Sequence, residues 1–304
     1  MARILVYGAG VIGSLYACLF SKAGESVTVY ARGKRLEELS ANGLRYFNGA
    51  KVCTAKAVVT GTLKEDDIYD FILLAVRENQ LHEALAELKT NQSHTIITMV
   101  NSLEDYSLWE KICGEGRIMP AFPGAGGSIE NGILRASLTP GIIQPTTFGE
   151  PNGKRTKRSA SFAALLKRAD IPYQIVPDMH IWQLCHLALV IPLADAYYEA
   201  SDPTNAGKNR RLMRKTAERI RENFRTLTCL GIKLSPAKMQ IFRYLPLCMV
   251  QTGLMIAYRS SFGDRFMYQH SMKAPDEMRA LHDQFYSYIA LSEMKEKKKD
   301  DNHS

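Results

Sequence analysis

Three glycines near the start of the chain constrain its fold more than any other feature. Gly8, Gly10 and Gly13 form G-x-G-x-x-G directly after the apolar run "RILVYG" and at the opening of a helical pattern, "SLYACLFSKAG". In that context the glycines permit a tight turn, close approach of the backbone to a pyrophosphate, and close contact between helix and sheet. The helix that follows offers free amide N–H groups and the positive end of its dipole to phosphates.

The pattern continues in kind. "SVTVY", "GKRLEELSANG", "DFILLAV", "ENQLHEALAELK" and "HTIITMV" alternate β-rich runs with helical ones, which is the signature of βαβ units and a parallel sheet covered by helices. From about residue 117 to 150 the chain turns Gly- and Thr-rich, and these strands are expected to extend the sheet with antiparallel hairpins. A helix, "RSASFAALLKRAD", and a strand, "YQIV", precede Pro177 and Asp178, after which the sequence reads almost wholly helical. At 304 residues the chain exceeds what one hydrophobic core usually serves. The expectation is an α/β protein with an N-terminal Rossmann domain, residues 1–177, and a C-terminal all-helical domain, residues 178–304. The helical domain is expected to bind substrate, to carry any homodimer contact, and to end in a frayed tail, "KEKKKDDNHS".

Composition fits a soluble protein, with 46% hydrophobic and 23% charged residues. "MARILVYGAG" lacks the features of a secretory signal, and no later run of about 18 apolar residues is seen, so no membrane partner and a cytoplasmic location are expected. The six cysteines form no C-x-x-C pair, which argues against a disulfide framework and against a metal site; most are expected to be buried, reduced thiols. The net charge of +8 calls for an anionic partner. Much of it lies in "GKNRRLMRKTAERIRENFR", where Met213, Ala217, Ile220, Phe224 and Leu227 recur at helical spacing and leave the basic residues on the outer face. That face reads as solvated, with no specific nucleic-acid partner, because aromatics do not interleave with the charges.

Which dinucleotide binds should be legible at the end of the second strand, where an NAD site places an acid for the ribose 2'-hydroxyl. No acid occurs between Glu25 and Glu37. Instead the strand runs into Arg32, Gly33, Lys34 and Arg35, cations suited to a 2'-phosphate, so NADP is the expected cofactor. The alternative is a surface charge cluster at a helix start, a placement that the helix dipole opposes.

"ILVYGAGVIGSLYACLFSKAGESVTVYARG", "LLAVRENQ" and "VNSLED" resemble the N-terminal domain of the ketopantoate reductase (2-dehydropantoate 2-reductase) family. The resemblance implies NADPH as hydride donor and a 2-oxo acid held between a Rossmann domain and a helical domain. It assigns cofactor contacts to Gly8, Ala9, Gly10, Val11, Ile12 and Gly13, to Arg77 where the family usually has lysine, to Gln80, to Asn101, and to the backbone near Ala125. In the helical domain the chain departs from the family. Aligned through "IPLA", Gln183 stands at the lysine that protonates the new alkoxide, and Leu187 and Ile191 stand at two asparagines that hold substrate. The family's T-E-I-D motif is replaced around "AYRSSFGDRFMYQH".

The reading is therefore an NADPH-dependent reductase for a small, anionic carbonyl compound, a 2-oxo acid or related ketone other than ketopantoate. Gln183 and His186, three apart on the apolar helix "HIWQLCHLALVIPLADAYY", are the candidate catalytic pair. Gln183 can donate a hydrogen bond to the carbonyl oxygen, and His186 can also give up a proton; the open alternative for His186 is a hydrogen-bonded core histidine. Tyr258, Arg259, Asp264 and His270 are further candidates, with surface roles as their alternative. The competing functional reading is an NADP-binding redox sensor without catalysis.

Overall fold

A computed structural model describes residues 1–273 and 275–301, with the side chains of 270, 273 and 295–301 outside that description. Two compact units divide the chain, Met1–Met179 and a second that begins at His180.

The first unit is built on an eight-stranded sheet in the order β12-β11-β8-β7-β6-β1-β2-β5. Its parallel part comprises β1 (Arg3–Tyr7), β2 (Ser26–Tyr30), β5 (Val58–Thr60), β6 (Phe71–Leu74), β7 (Ile96–Thr98) and β8 (Ile118–Phe122). β11 (Thr146–Phe148) runs antiparallel to β8, and β12 (Tyr173–Ile175) runs parallel to β11. The central strands read as unbroken apolar runs because both sheet faces are covered. In β1, Ile4 and Val6 join Leu15, Tyr16 and Phe20 of α1 (Val11–Lys22) in one core. Leu5 and Tyr7 point the other way, joining Leu81 and Leu85 of α3 (Leu81–Glu87) and Trp109 of α4 (Tyr106–Cys113). α2 (Gly33–Asn42) follows β2, and α5 (Lys157–Arg168) precedes β12. This is the expected Rossmann pattern: from β1 the chain moves one way to β2, and it later returns to β1's other side at β6.

Among the described residues, Arg117 at the amino end of β8 donates only to backbone carbonyls. Its guanidinium reaches Leu88 O at 3.0 Å and Cys113 O at 2.6 Å, the closing carbonyls of α3 and α4, together with Asn91 O at 2.7 Å and Ser93 O at 2.9 Å. Helix C-termini carry partial negative charge, so a cation is the natural partner for two that converge.

Three expectations need correction. The hairpin of β9 (Ala125–Glu130) and β10 (Ile133–Leu138) does not extend the main sheet; only β11 and β12 do. It joins a second sheet, β4-β3-β10-β9, with β3 (Arg45–Asn48) and β4 (Lys51–Thr54). The β3–β4 hairpin closes through the two-residue turn Gly49-Ala50, with Asn48 paired to Lys51, and Gly49 adopts φ +63° there. Of the cysteines, Cys18, Cys113 and Cys185 are buried, but Cys229 and Cys248 are exposed, one at the end of the helix Arg210–Cys229 and the other at the start of the helix Leu247–Tyr258.

The third correction concerns α6 (Met179–Glu199), which is long and apolar enough to cross a membrane by those two criteria alone. Most of it is buried within the protein, the behaviour of a central helix in a bundle. Around it the second unit places α7 (Arg210–Cys229), α8 (Ile241–Tyr244), α9 (Leu247–Tyr258), α10 (Gln269–Lys273) and α11 (Pro275–Asp301). The predicted stripe of α7 is fully buried at Met213, Ala217, Ile220, Phe224 and Leu227, and Met278, Leu281, Phe285 and Ile289 of α11 are buried as well. The last three residues of the tail lie outside the described residues.

Candidate functional site

The carboxyl ends of β2, β1, β6 and β7 lie side by side, and the topology switches direction at β1. Ligands of open α/β sheets bind at such a switch point. The glycine turn sits in its middle: Gly8 N donates to Tyr30 O at 3.2 Å, and Ala75 N donates to Tyr7 O at 2.9 Å. Gly8 has φ +105°, and a Cβ there would stand 2.4 Å from Ala75 O. A Cβ on Gly13 would stand 1.9 Å from Gly8 O, so α1 can cross the turn only where no side chain exists.

Gly10 is different. It has an ordinary φ of −72°, is exposed, and a Cβ there would meet nothing within 4 Å. Nothing within the fold requires glycine at this position. An incoming group that lay close against the backbone would require it, and the neighbouring helix end is suited to one: α1 has no side-chain cap and no acid in its first turn. Ala9 is buried, and Val11 and Ile12 are half-buried beside it. Ser14 Oγ and Arg35 Nε both donate to Ala9 O, at 3.1 and 3.0 Å, which fixes the turn from behind.

The other cofactor candidates fall on the same row of strand ends. Arg77 and Gln80 are exposed on the segment after β6. Asn101 follows β7, and its side-chain oxygen is buried without a hydrogen-bond partner among the described residues. Ala125 opens β9, just beyond the carboxyl end of β8.

Arg32 caps the start of α2, next to the end of β2. Its guanidinium is engaged: Nη1 lies 2.6 Å from Glu83 and 3.8 Å from Glu87, both on α3. Glu87 in turn accepts from the hydroxyls of Tyr7 and Tyr30, whose rings stack 4.6 Å apart. Burial and the Glu87 carboxylate push the Tyr30 hydroxyl up to about 12, so it stays a donor. Glu83 is 51 residues from Arg32 in sequence and Glu87 lies a turn further on, and nothing in the local pattern of α3 connects them to it; this part of the site was not legible. Arg35 pairs with Glu38 at 2.5 Å.

In the second unit, Gln183 is completely buried, while His186 is half-buried and stacks on Trp182 at 5.2 Å with an interplanar angle of 10°. Leu187 and Ile191 are buried. Tyr258, Arg259 and Asp264 come together with Lys208 around one cavity of about 290 Å³. The side chain of His270 lies outside the described residues.

Likeness to other proteins agrees with this geometry. Residues 4–151 match the family model described as ketopantoate reductase PanE/ApbA. A 2-dehydropantoate 2-reductase of Mesorhizobium japonicum is 25% identical over 207 residues, covering 59% of this chain and 62% of that protein. One from Pyrococcus abyssi is 28% identical over 188 residues, covering 59% and 58%. The matches thus span less than two thirds of these relatives' own length. Among solved structures, 2-dehydropantoate 2-reductase from Geobacter metallireducens superposes with a TM-score of 0.64 at 17% identity, covering 94% of this chain and 99% of that one. D-mandelate dehydrogenase, solved with NADH and anilino(oxo)acetate, superposes at 0.61 and 14% identity, covering 96% and 99%. At those identities the structural likeness shows the fold. Residues 4–151 thus resemble the ketopantoate reductase PanE/ApbA family, and the chain shares the fold of solved 2-dehydropantoate 2-reductases.

Proposed function

We propose that this chain is an NADPH-dependent reductase of a small anionic carbonyl compound, a 2-oxo acid or related ketone other than ketopantoate. The observation that carries the reading is Gly10: a glycine that the fold does not need, facing open space at the uncapped start of α1. The orphaned oxygen of Asn101 on the same row of strand ends supports it, because a buried acceptor without a partner is costly unless a ligand supplies the donor.

When bound, the nicotinamide supplies a hydride to the carbonyl carbon. The chain's own residues do the rest. The first-turn amides of α1 bind the pyrophosphate, Arg32 binds the 2'-phosphate, and Asn101 accepts a hydrogen bond from the nicotinamide half. The alkoxide left by hydride transfer needs a proton. We assign that proton to His186, the partly accessible member of the pair, and a supporting hydrogen-bond donor to Gln183. Ketopantoate is disfavoured because Gln183 cannot protonate, and Leu187 and Ile191 have no polar group to offer its substituents.

The test is a panel of 2-oxo acids and ketones, followed by NADPH absorbance, after NADPH binding has been measured directly. Turnover of one class with substrate-dependent NADPH loss supports the reading. Tight NADPH binding with no turnover across the panel would make the chain a nucleotide sensor instead, and absence of binding would remove both readings.

A further inference from the structure

The arginine suited to a 2'-phosphate is already occupied. Arg32 Nη1 is 2.6 Å from Glu83 Oε1 and 3.8 Å from Glu87 Oε2, so two carboxylates face one guanidinium. The two acids differ in freedom. Glu87 is held by the hydroxyls of Tyr7 and Tyr30, residues paired across β1 and β2, and its side chain is one-third exposed. Glu83 lies in the first turn of α3 with its side chain 68% exposed. An anion that takes Arg32 must displace Glu83 and then remain beside it.

A ribose 2'-hydroxyl faces the opposite situation. Folds that bind NAD present a carboxylate for that hydroxyl from the end of the second strand. Here that strand end carries no acid, yet a carboxylate reaches the same guanidinium from α3 across the sheet end.

Building on the cofactor reading above, we propose that Glu83 is a specificity-determining residue: it competes with a nucleotide 2'-phosphate for Arg32 and offers its own carboxylate to a 2'-hydroxyl. The chain then accepts both dinucleotides and prefers NADPH only narrowly, although its strand end carries the cations of an NADP site. Removing the charge of Glu83 frees Arg32 and widens the preference.

The experiment compares the full-length protein with Glu83→Gln, measuring dissociation constants for NADPH and NADH by calorimetry at low and at physiological salt. Because an exposed ion pair holds its partner weakly, the ratio of the two constants is expected to rise in favour of NADPH by about two- to fivefold. The change should shrink as salt screens the pair. Glu115→Gln, an exposed acid near the amino end of β8, serves as the charge control and should leave the ratio unchanged. An unmoved melting temperature shows that Glu83→Gln folds, as its exposure predicts. If both nucleotides bind and the ratio stays the same, or both affinities move together, Glu83 does not set specificity and the cofactor reading survives. If neither nucleotide binds the unmutated protein, that reading fails and this inference with it.

Discussion

Asn223 on α7 donates its side-chain amide to the carbonyl oxygen of Ala188 on α6, at 3.0 Å, and the reason lies four residues further along α6. Pro192 sits inside that helix and has no N–H to return to Ala188 O. A buried carbonyl is thereby orphaned, and Asn223, itself buried, satisfies it. Asn223→Ala should destabilise the second unit by about 1–3 kcal/mol, the cost of leaving a buried acceptor unpaired. The loss should be smaller in a Pro192→Ala background, where residue 192 can supply its own N–H. Urea unfolding of the four proteins of this cycle measures the coupling, and strict additivity would show that the two residues act separately.

The glycine turn separates stability from binding. Gly13→Ala forces a Cβ against the Gly8 carbonyl and should cost about 1–3 kcal/mol or more, as overpacking does. Gly10→Ala meets no atom, so stability should stay within about 0.5 kcal/mol of the unmutated protein. NADPH affinity should nevertheless fall at least several-fold for Gly10→Ala. Thermal melts and nucleotide titrations on the two variants check both halves.

If His186 delivers the proton, His186→Ala lowers turnover by about a hundredfold or more with NADPH binding intact. Gln183→Ala should cost less in turnover, but more in stability, because Gln183 is wholly buried. Steady-state kinetics on a verified substrate decides this; an unchanged rate for His186→Ala would make the Trp182–His186 stack structural only.

Acid should loosen the first unit through Glu25. Burial by itself would raise its carboxyl, but hydrogen bonds from Ala2 N, at 2.5 Å, and Arg168 Nε, at 2.7 Å, hold it below the ordinary carboxylate range. A group whose folded pKa is depressed stabilises fully above its unfolded value, near 4.5, and loses that contribution as pH falls through the folded value. Melting temperature should therefore decline below about pH 4.5, and Glu25→Gln should lose about 1–2 kcal/mol at neutral pH with a flatter acid limb. Melts across pH 3 to 7, in roughly half-unit steps, compare the two proteins.

Local pattern made the parallel sheet, α1 and α7 legible. Each is fixed by a period along the chain: continuous apolar runs where both sheet faces are covered, and steps of three and four where one helix face is buried. Partners far apart in sequence left no such trace. Gly8, Gly10 and Gly13 announced a tight strand-to-helix turn because their spacing is itself the turn, whereas the hold of Glu83 on Arg32 exists only once α3 has folded across the sheet end. The same limit applied to the β9–β10 hairpin, whose strands were evident while the sheet they join depended on β3, far earlier in the chain. In the second unit the burial of Gln183 belongs to the packing around α6, which composition does not specify.

Arg117 has a consequence for how this fold divides its labour. It gathers the negative ends of α3 and α4 at the amino edge of the sheet, while α1 leaves its positive end open at the opposite edge. The unit thus has a sealed pole and an exposed pole. Changes at the sealed pole are expected to fall on the melting point, whereas changes at the exposed pole that keep Gly8 and Gly13, such as Gly10→Ala, are expected to act on the proposed nucleotide site at little cost to folding. On the cofactor reading proposed above, a lineage can exchange one dinucleotide for another by altering the exposed pole alone, with the sealed pole serving as the reserve of stability that makes such drift survivable.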